Sequence, residues 1–466
     1  MLRLHDTGFG SVRELKLRDP GRVSMYVCGS TVYSDPHIGH GRFALIWDVI
    51  RRYLEWSGLQ VDFVSNVTDI DDKIINRAHA EGRSPAEVAK QYEVLWWESM
   101  DRLGVARPTS EPHATEFVAR MVELIGELVA DGKAYPAGDG VYFSVDTVAD
   151  YGLLAHQPLD SLRVGARVAV DAEVGKRSPL DFALWKFAKA GEPSWPSPWG
   201  DGRPGWHTEC VVMALDLLGE DFDLHGGGLD LAFPHHENER AQAEAAGRPF
   251  ARHWTHSGMV VVEGGEKMSK SLGNVVTLPD LLAKFDPRAY RLLVLQSHYR
   301  SPLTVTDVTL RAAQQGVERL DALARRLSLG AGSGAVADEA SLARFRARMD
   351  DDLGTVQATA EMFEAVKAAN TLADEGRLDE AAARAAAVFE MCRAVGLEVG
   401  ATGVAGDDGA GEDVAASVAA EMAARRDEAR KAGDYAAADE LRRQLQEQGW
   451  IVEDTPRGTV VRRGTR

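Results

Sequence analysis

Two short segments carry the residue types that a phosphate-binding site needs. The first, PHIGHGR (residues 36–42), has two histidines three positions apart where a strand and a turn lead into a predicted helix. The N–H groups and the dipole of a helix N-terminus attract phosphate, and His37 and His40 lie on one side of the first turn. Gly39 lets a nucleotide pack against bare backbone. The segment is therefore a candidate phosphate site, although a histidine pair at this spacing, taken alone, more often occurs by chance on a protein surface.

The second segment is EKMSKSLGN (residues 266–274), which follows two glycines. Lys267 and Lys270 lie on a stretch rich in glycine and serine that is typical of a mobile loop. Two such lysines can close over a triphosphate and neutralise the charge that develops on a departing pyrophosphate. Taken alone, the segment is better interpreted as a solvated basic turn.

A third group of residues has the chemistry of a metal site. The three cysteines, Cys28, Cys210 and Cys392, are too few and too scattered for a disulfide framework, which indicates a reducing compartment. Zinc takes Cys, His and Glu ligands, and a His and a Glu four residues apart share one helical face. The candidates lie in GWHTEC (205–210) and HGGGLDLAFPHHENE (225–239). Spacing leaves several residues in competition as ligands: His207, His225, His236 and Glu237. Each cysteine, taken singly, is also a candidate for buried core filler.

The segments around the first motif predict the element that positions it. SMYVC (24–28) is typical of a short buried strand, and QVDFVSN (60–66) of a second one. Between them, residues 39–56 have apolar side chains at helical spacing: Phe43, Ile46, Trp47, Ile50 and Leu54. Strand, helix and strand in about 45 residues indicate a βαβ unit, and hence a parallel sheet with a ligand site at its carboxyl edge.

The rest of the chain predicts further domains. Helices are expected at 85–103 and 116–130, a hairpin at 139–145, and strands at 222–225 and 259–263. Residues 310–395 are rich in Ala, Leu, Arg and Glu, which favours a helical bundle. Residues 399–417 are typical of a flexible linker, and a helix (418–448) and strands (450–452, 459–462) close the chain.

We therefore predict an α/β protein with a Rossmann-type parallel-sheet catalytic domain that contains an insertion, followed by a helical bundle and a small C-terminal module. The predicted boundaries are 1–112 (first half of the parallel-sheet domain), 113–199 (insertion), 200–260 (second half), 261–308 (the lysine-rich loop and the region after it), 309–398 (bundle), 399–420 (linker) and 421–466 (C-terminal module).

Charge and hydropathy exclude some classes of protein. No apolar run approaches the roughly 20 residues that span a bilayer, and the N-terminal residues lack the apolar stretch of a signal peptide. We expect a cytoplasmic protein without a membrane partner. The net charge of −18 argues against a nucleic-acid partner. However, residues 425–466 hold ten Lys/Arg against eight Asp/Glu, so this end permits RNA binding.

Together, the first two segments resemble a known signature. HIGH, followed about 230 residues later by KMSKS, is similar to the paired motifs of class I aminoacyl-tRNA synthetases. The resemblance implies that an amino acid is activated as its adenylate, with ATP accompanied by Mg²⁺. It implies ATP binding by four residues: His37, Gly39, His40 and Lys270. It implies catalytic roles for His37, His40, Lys267 and Lys270.

Further segments narrow the resemblance. YVCGSTVYSDPHIGH, NVTDIDDKI, FALWK, GWHTEC, FPHHENE and KMSKSLGN together resemble cysteinyl-tRNA synthetases, from end to end of the chain. The resemblance implies L-cysteine, ATP and tRNA(Cys) as substrates, in a monomer that holds one zinc ion. The implied zinc ligands are Cys28, Cys210, His235 and Glu239. The implied amino-acid pocket contains Gly29, Thr31 and Trp206, although core packing is the alternative for Trp206.

The C-terminal segments GDYAAADELR (433–442) and VEDTPRG (452–458) are similar to the anticodon-binding domain of that family. The resemblance makes Tyr435, Asp439 and Asp454 candidate tRNA contacts, with Tyr435 stacking on a base. The alternative is a self-packed helical cap in which Tyr435 covers its neighbours.

An acidic run at Asp69, Asp71 and Asp72 can be interpreted as a Mg²⁺ site or as the cap of a helix. We favour the cap.

Some positions depart from the family pattern, and two other functions compete. Ser30, Ser34, Leu229 and DLGTV at 352–356 (with Gly354) replace the usual residues, which puts catalytic efficiency in doubt. One rival is a ligase that joins cysteine to an amino sugar in mycothiol synthesis, but IDDKI (70–74) and the C-terminal module favour the synthetase. The other is a non-catalytic synthetase-like RNA-binding protein, which would be free to lose the ligands and lysines that this chain retains.

Overall fold

The computed structural model describes residues 2–157, 175–261, 276–327, 335–400, 412–455 and 458–463. The chain divides into two compact units: residues 1–314, 343–361 and 391–397 in the first, and residues 315–342, 362–390 and 398–466 in the second.

The described strands are β1 (Arg3–Asp6), β2 (Ser11–Glu14), β3 (Arg22–Thr31), β4 (Gln60–Thr68), β5 (Ala134–Ala137), β6 (Gly140–Phe143), β7 (Phe182–Phe187), β8 (Gly202–Pro204), β9 (Leu224–Gly228), β10 (Trp254–Ser257), β11 (Val260–Val261), β12 (Leu303–Thr304), β13 (Trp450–Thr455) and β14 (Gly458–Arg463). The described α-helices are α1 (Ile38–Trp56), α2 (Asp72–Glu81), α3 (Pro85–Arg102), α4 (Val118–Ala130), α5 (Trp206–Leu218), α6 (Glu237–Ala245), α7 (Leu278–Lys284), α8 (Pro287–Leu295), α9 (Asp307–Leu327), α10 (Glu339–Met349), α11 (Thr355–Asp374), α12 (Leu378–Ala394), α13 (Glu412–Lys431) and α14 (Tyr435–Glu447).

A parallel sheet forms the centre of the first unit. Its strand order is β10-β9-β3-β4, and every neighbouring pair is parallel. The βαβ unit predicted from the N-terminal segments is β3, α1 and β4, with Met25 opposite Phe63 in the register. The predicted Rossmann-type α/β fold is therefore confirmed. Because both faces of such a sheet are covered, functional side chains gather at the carboxyl ends of the strands.

Close packing of α1 on the sheet depends on one glycine. Trp47 of α1 is 1% exposed, and a Cβ built on Gly226 of β9 would lie 2.1 Å from its ring. A side chain at position 226 would displace either the ring or the strand. The glycines after His225 thus allow α1 to pack closely on the parallel sheet. This packing positions β9, the strand that carries His225.

The first unit also contains an antiparallel sheet, of which β5, β6 and β7 lie within the predicted insertion (113–199) and β8 (Gly202–Pro204) lies just beyond its predicted end. Its strand order is β5-β6-β7-β8, and it shares a hydrophobic core with α4 and α5. Large side chains fill this core, including Phe143, Phe182 and Trp185. The hairpin predicted at 139–145 corresponds to β5 and β6, although it begins earlier in the chain.

The C-terminal part of the second unit consists of α13, α14 and the β13–β14 hairpin. Ala419, Leu445 and Val452 form its small core. The prediction of one helix over 418–448 is wrong. Gly433 adopts φ +78° and ends α13, and Asp434 then caps α14 by accepting from the N–H of Ala437.

Within the described ranges, no helix combines the length and the apolar character needed to cross a bilayer.

Candidate active site

The strand β3 is irregular at Cys28, and this irregularity directs the cysteine side chain toward the candidate metal-binding residues. The strand pairs with β4 regularly up to Val27 and resumes at Ser30, so the register shifts across Cys28 and Gly29. A shift of this kind re-aims a side chain next to a functional site. A Cβ built on Gly29 would lie 1.6 Å from the carbonyl oxygen of Asn66, so only glycine fits here.

The four side chains expected to bind zinc lie together. Cys28 Sγ is 3.5 Å from Cys210 Sγ and 3.3 Å from Glu239 Oε1. His235 Nε2 is 3.7 Å from Cys210 Sγ and 2.9 Å from Glu239 Oε1. All four residues are buried, and their ligand atoms lie within 4.8 Å of one another. This cluster, Cys28/Cys210/His235/Glu239, is called the four-donor cluster below.

The charges within the four-donor cluster are appropriate for a divalent cation. Burial opposes a charge on His235, but the carboxylate of Glu239 outweighs it and raises the pKa of the imidazole to about 10. Burial also opposes ionisation of Cys210, yet its hydrogen bond with Cys28 and the charge of His235 lower its pKa to about 6. The pKa of Glu239 lies well below its usual range because His235 and His225 outweigh burial. The thiolate of Cys210 and the carboxylate of Glu239 thus lie next to the imidazolium of His235. A dication bound by the same four side chains would balance both negative charges. The donor set fits zinc.

Two of the four competing ligand candidates, Glu237 and His207, have other partners. Glu237 accepts from the N–H of Leu154 and pairs with Arg240, which occupies its carboxylate. His207 Nδ1 lies 2.9 Å from His235 Nδ1, so it orients the ring of His235 from outside the cluster. His225 and His236 form an alternative set with Cys28 and Glu239, which contains one thiol instead of two.

Residues predicted to line the amino-acid pocket lie beside the four-donor cluster. The indole of Trp206, at the start of α5, stacks on the ring of His235 with centroids 4.0 Å apart and planes at 17°. The ammonium of Lys73 lies 5.9 Å from the Trp206 ring. The N–H of Gly29 donates to Asn66 Oδ1 at 2.8 Å, and Thr31 ends β3 opposite Thr68.

The HIGH histidines cap α1 reciprocally. The backbone N–H of His40 donates to His37 Nδ1 (3.3 Å), and that of His37 donates to His40 Nδ1 (3.2 Å). The two rings stack with centroids 3.6 Å apart. Because each Nδ1 accepts a hydrogen bond, the proton of each neutral ring is on Nε2. Both rings thus present an N–H donor at a helix N-terminus, which is the chemistry of a phosphate site.

Arg42, two residues after the second histidine, joins α1 to the strand that precedes the lysine-rich segment. Arg42 is 1% exposed, and its guanidinium donates to the carbonyl oxygens of Met259 (2.7 Å), Tyr299 and Ser301. Burial lowers the pKa of Arg42 to about 10, so it remains charged at neutral pH. These bonds fix the start of β11 relative to the HIGH helix.

Comparison with known proteins gives the family. The family profile described as "tRNA synthetases class I (C) catalytic domain" matches residues 14–315, and that described as "DALR domain" matches residues 344–397. The chain is 45% identical to the cysteine–tRNA ligase of Halorhodospira halophila over 99% of this chain and 100% of that protein. It is 46% identical to the cysteine–tRNA ligase of Chromobacterium violaceum over the same shares. The chain belongs to the cysteine–tRNA ligase family.

Solved structures agree on the fold of this family member. Methionyl-tRNA synthetase of Mycobacterium tuberculosis in complex with methionyl-adenylate superposes with a TM-score of 0.58 at 18% identity, covering 81% of this chain and 90% of that one. At this identity, the likeness shows the fold alone. The family profiles and the cysteine–tRNA ligase relatives confirm the predicted resemblance to cysteinyl-tRNA synthetases, and the solved structure confirms the fold.

Of the other predicted site residues, the two lysines are not described by the structure, and the three aspartates of the acidic run have partners of their own. Lys267 and Lys270 lie outside the described residues, so their roles stay predictions. Asp71 caps α2 by accepting from the N–H of Lys73, as we favoured. Asp69 accepts from Thr115, and Asp72 pairs with Lys186 and Arg203, so the three carboxylates have separate partners.

In the C-terminal module, Tyr435 is 68% exposed and Asp439 is also exposed. Asp454 pairs with Arg426 and Arg430, and these ion pairs lower the pKa of its carboxyl. An exposed Tyr435 does not cover the helical cap, which leaves its ring available to a partner.

The sequence did not predict a chain of hydrogen-bonded polar side chains beside the four-donor cluster. It consists of Asn66, Thr68 and Glu209 and is called the Asn66 relay below. Asn66 Nδ2 donates to Thr68 Oγ1 (3.2 Å), which donates to Glu209 Oε2 (2.9 Å). Burial raises the pKa of Glu209 well above its usual range, and the hydrogen bond from Thr68 opposes this shift. Asn66 Oδ1 also lies 3.7 Å from Cys210 Sγ, and the relay therefore supports both Gly29 and Cys210. The segments NVT (66–68) and TEC (208–210) contain these residues, but in a sequence such common polar side chains do not by themselves indicate a functional role.

Proposed function

We propose that the chain is a cysteine–tRNA ligase. L-Cysteine attacks the α-phosphorus of ATP through a carboxylate oxygen, the bond to pyrophosphate breaks, and cysteinyl-adenylate forms. A terminal hydroxyl of tRNA(Cys) then attacks the carbonyl carbon, and AMP leaves. The observation that carries this choice of amino acid is the four-donor cluster, which lies beside the predicted substrate pocket.

We propose that Cys28, Cys210, His235 and Glu239 hold one zinc ion, since this set has two thiols and the alternative set has one. When bound, zinc supplies a soft Lewis acid that accepts the sulfur of the substrate and favours its thiolate over its thiol. His207 fixes the tautomer of His235, and the Asn66 relay holds Cys210 in place. Trp206 covers one side of the pocket by stacking on His235.

ATP is expected at the start of α1. We propose that the Nε2–H groups of His37 and His40 donate to its phosphates and that Gly39 allows close approach of the nucleotide. Lys267 and Lys270 are proposed to neutralise the departing pyrophosphate, and Mg²⁺ to accompany ATP. We further propose that the protein acts as a monomer in the cytoplasm.

The decisive experiment is ATP–pyrophosphate exchange, measured side by side with cysteine and serine. We expect exchange with cysteine and a selectivity over serine of roughly 10⁴-fold, because serine cannot make the sulfur bond that the site recognises. No exchange with either amino acid would contradict the proposal and favour a non-catalytic RNA-binding protein. Exchange with cysteine but no charging of tRNA would instead favour a ligase with an amino-sugar acceptor.

Deletion of residues 421–466 tests the C-terminal module. We expect tRNA charging to fall by more than tenfold while cysteine-dependent exchange stays within about twofold, because stacking and phosphate contacts in this module each contribute roughly 1–3 kcal/mol. Both assays are run on the same preparation. The point variant Tyr435→Ala, whose side chain is 68% exposed, is the matched control for damage to the fold. Equal loss of exchange and charging in the deletion would mean that the module is structural.

A further inference from the structure

Trp96 contacts the second histidine of the HIGH motif. The indole, on α3, meets the imidazole of His40 edge to face, with ring centroids 5.5 Å apart and planes at 63°. Aromatic pairs prefer this geometry, and it is directional, so it restrains the orientation of both rings. Trp96 lies more than 50 residues from the motif in sequence and does not belong to it.

The contact with Trp96 adds to the restraint that the reciprocal cap places on the His40 ring. The two hydrogen bonds of the cap are 3.2 and 3.3 Å long, at the far end of the usual range for N–H donors. An imidazole that turned about its χ2 axis would bring another ring atom to the cap and move its N–H away from the phosphate side. The stack on His37 opposes this turn only partly, because stacked rings can slide over each other.

Trp96 is half-buried and lines an apolar cavity between α1 and α3 together with Phe43, Trp47 and Met100. The contact with His40 therefore joins α3 to a side chain of the HIGH motif.

We propose that Trp96 is a positioning residue for adenylate formation, which keeps the His40 ring in the reciprocal cap with its Nε2–H directed to the phosphates of ATP. The role rests on the proposed function, since it concerns the same ATP site. It adds a residue that lies outside both class I motifs.

The test compares Trp96→Leu with Trp96→Phe. Both side chains are apolar, but only phenylalanine keeps an aromatic edge against His40. In Trp96→Leu we expect kcat/KM for ATP in cysteine-dependent exchange to fall roughly 3- to 10-fold, as the loss of one aromatic pair implies, with KM for cysteine unchanged. In Trp96→Phe we expect activity within about twofold of the parent. Trp97→Phe, at a neighbouring tryptophan whose ring contacts Arg107, is the control and should change neither value.

A spectroscopic readout separates positioning from general damage. In protein labelled with ¹⁵N-histidine, the His40 ring should show a single Nε2–H tautomer in the parent and in Trp96→Phe, and averaged tautomers in Trp96→Leu. The signals are assigned by their loss in His40→Gln. Equal behaviour of the Leu and Phe variants in both readouts would overturn the proposal. If Trp96→Leu does not fold, Trp96→Met serves as the non-aromatic variant. Absence of exchange in the parent would contradict the proposed function instead, and the tautomer comparison would still decide the role of Trp96.

Discussion

Cys210→Ala is expected to remove bound zinc and to lower cysteine-dependent ATP–pyrophosphate exchange by roughly 10³-fold or more. Cys210 is 1% exposed, and its sulfur lies 3.5 Å from that of Cys28 and 3.7 Å from His235 Nε2. Alanine leaves three donors and no second thiolate, so the remaining set binds a soft cation poorly. Selectivity for cysteine over serine should fall together with activity, because both depend on the same sulfur bond. Metal content by mass spectrometry and exchange with each amino acid check the prediction.

Cys392 provides the matched control for this substitution. It is the third buried cysteine of the chain, also 1% exposed, on α12, and it belongs to neither candidate metal-binding group in the described part of the chain. Cys392→Ala removes the same atom from a buried site and should leave the zinc content and the exchange rate unchanged. A Cys210→Ala protein that retained stoichiometric zinc, or full exchange with cysteine, would contradict the proposed role of the four-donor cluster. Circular dichroism of both variants monitors the fold.

The parts of the fold that sequence predicts are those with local patterns. The helix predicted over 39–56 is observed as α1, because its apolar residues recur at helical spacing and most of them are buried. β3 and β4 also have recognisable apolar runs. By contrast, β10 (Trp254–Ser257) is four residues long and buried throughout, although three of its four residues are polar, and no periodic pattern identifies it. The antiparallel sheet joins β6 to β7 across about 40 residues, a pairing that no local signal specifies.

The candidate site likewise has residues that the sequence predicts and residues that it does not. The four-donor cluster was expected from residue types and family resemblance, since cysteine, histidine and glutamate have distinctive chemistry. The side chains that hold it in place were not expected: Asn66, Thr68 and Glu209 are common polar residues, and 141 positions separate Thr68 from Glu209. Their importance arises from burial and from hydrogen bonds, which depend on how distant segments come together. The contact of Trp96 with His40 has the same origin.

A substitution at His37 can separate helix capping from phosphate binding. His37 is the N-cap of α1, with extended backbone (φ −106°, ψ 171°) and a ring nitrogen that accepts from the N–H of His40. Asparagine is among the preferred N-cap residues, and its side-chain oxygen can accept the same hydrogen bond. His37→Asn therefore keeps the cap but removes the Nε2–H donor. We expect an unchanged melting temperature and a loss of cysteine-dependent exchange of roughly 10²- to 10³-fold, as for one transition-state donor.

Two further variants make this result decisive. His37→Ala removes both the cap and the donor, so it should match the Asn variant in exchange but lose about 1 kcal/mol of stability. Ser84→Asn changes the N-cap of α3, where the serine hydroxyl accepts from the N–H of Glu87, and should leave exchange unaltered. Exchange within about twofold of the parent in His37→Asn would show that His37 serves the helix alone. The phosphate contact would then fall to His40, whose ring Trp96 orients.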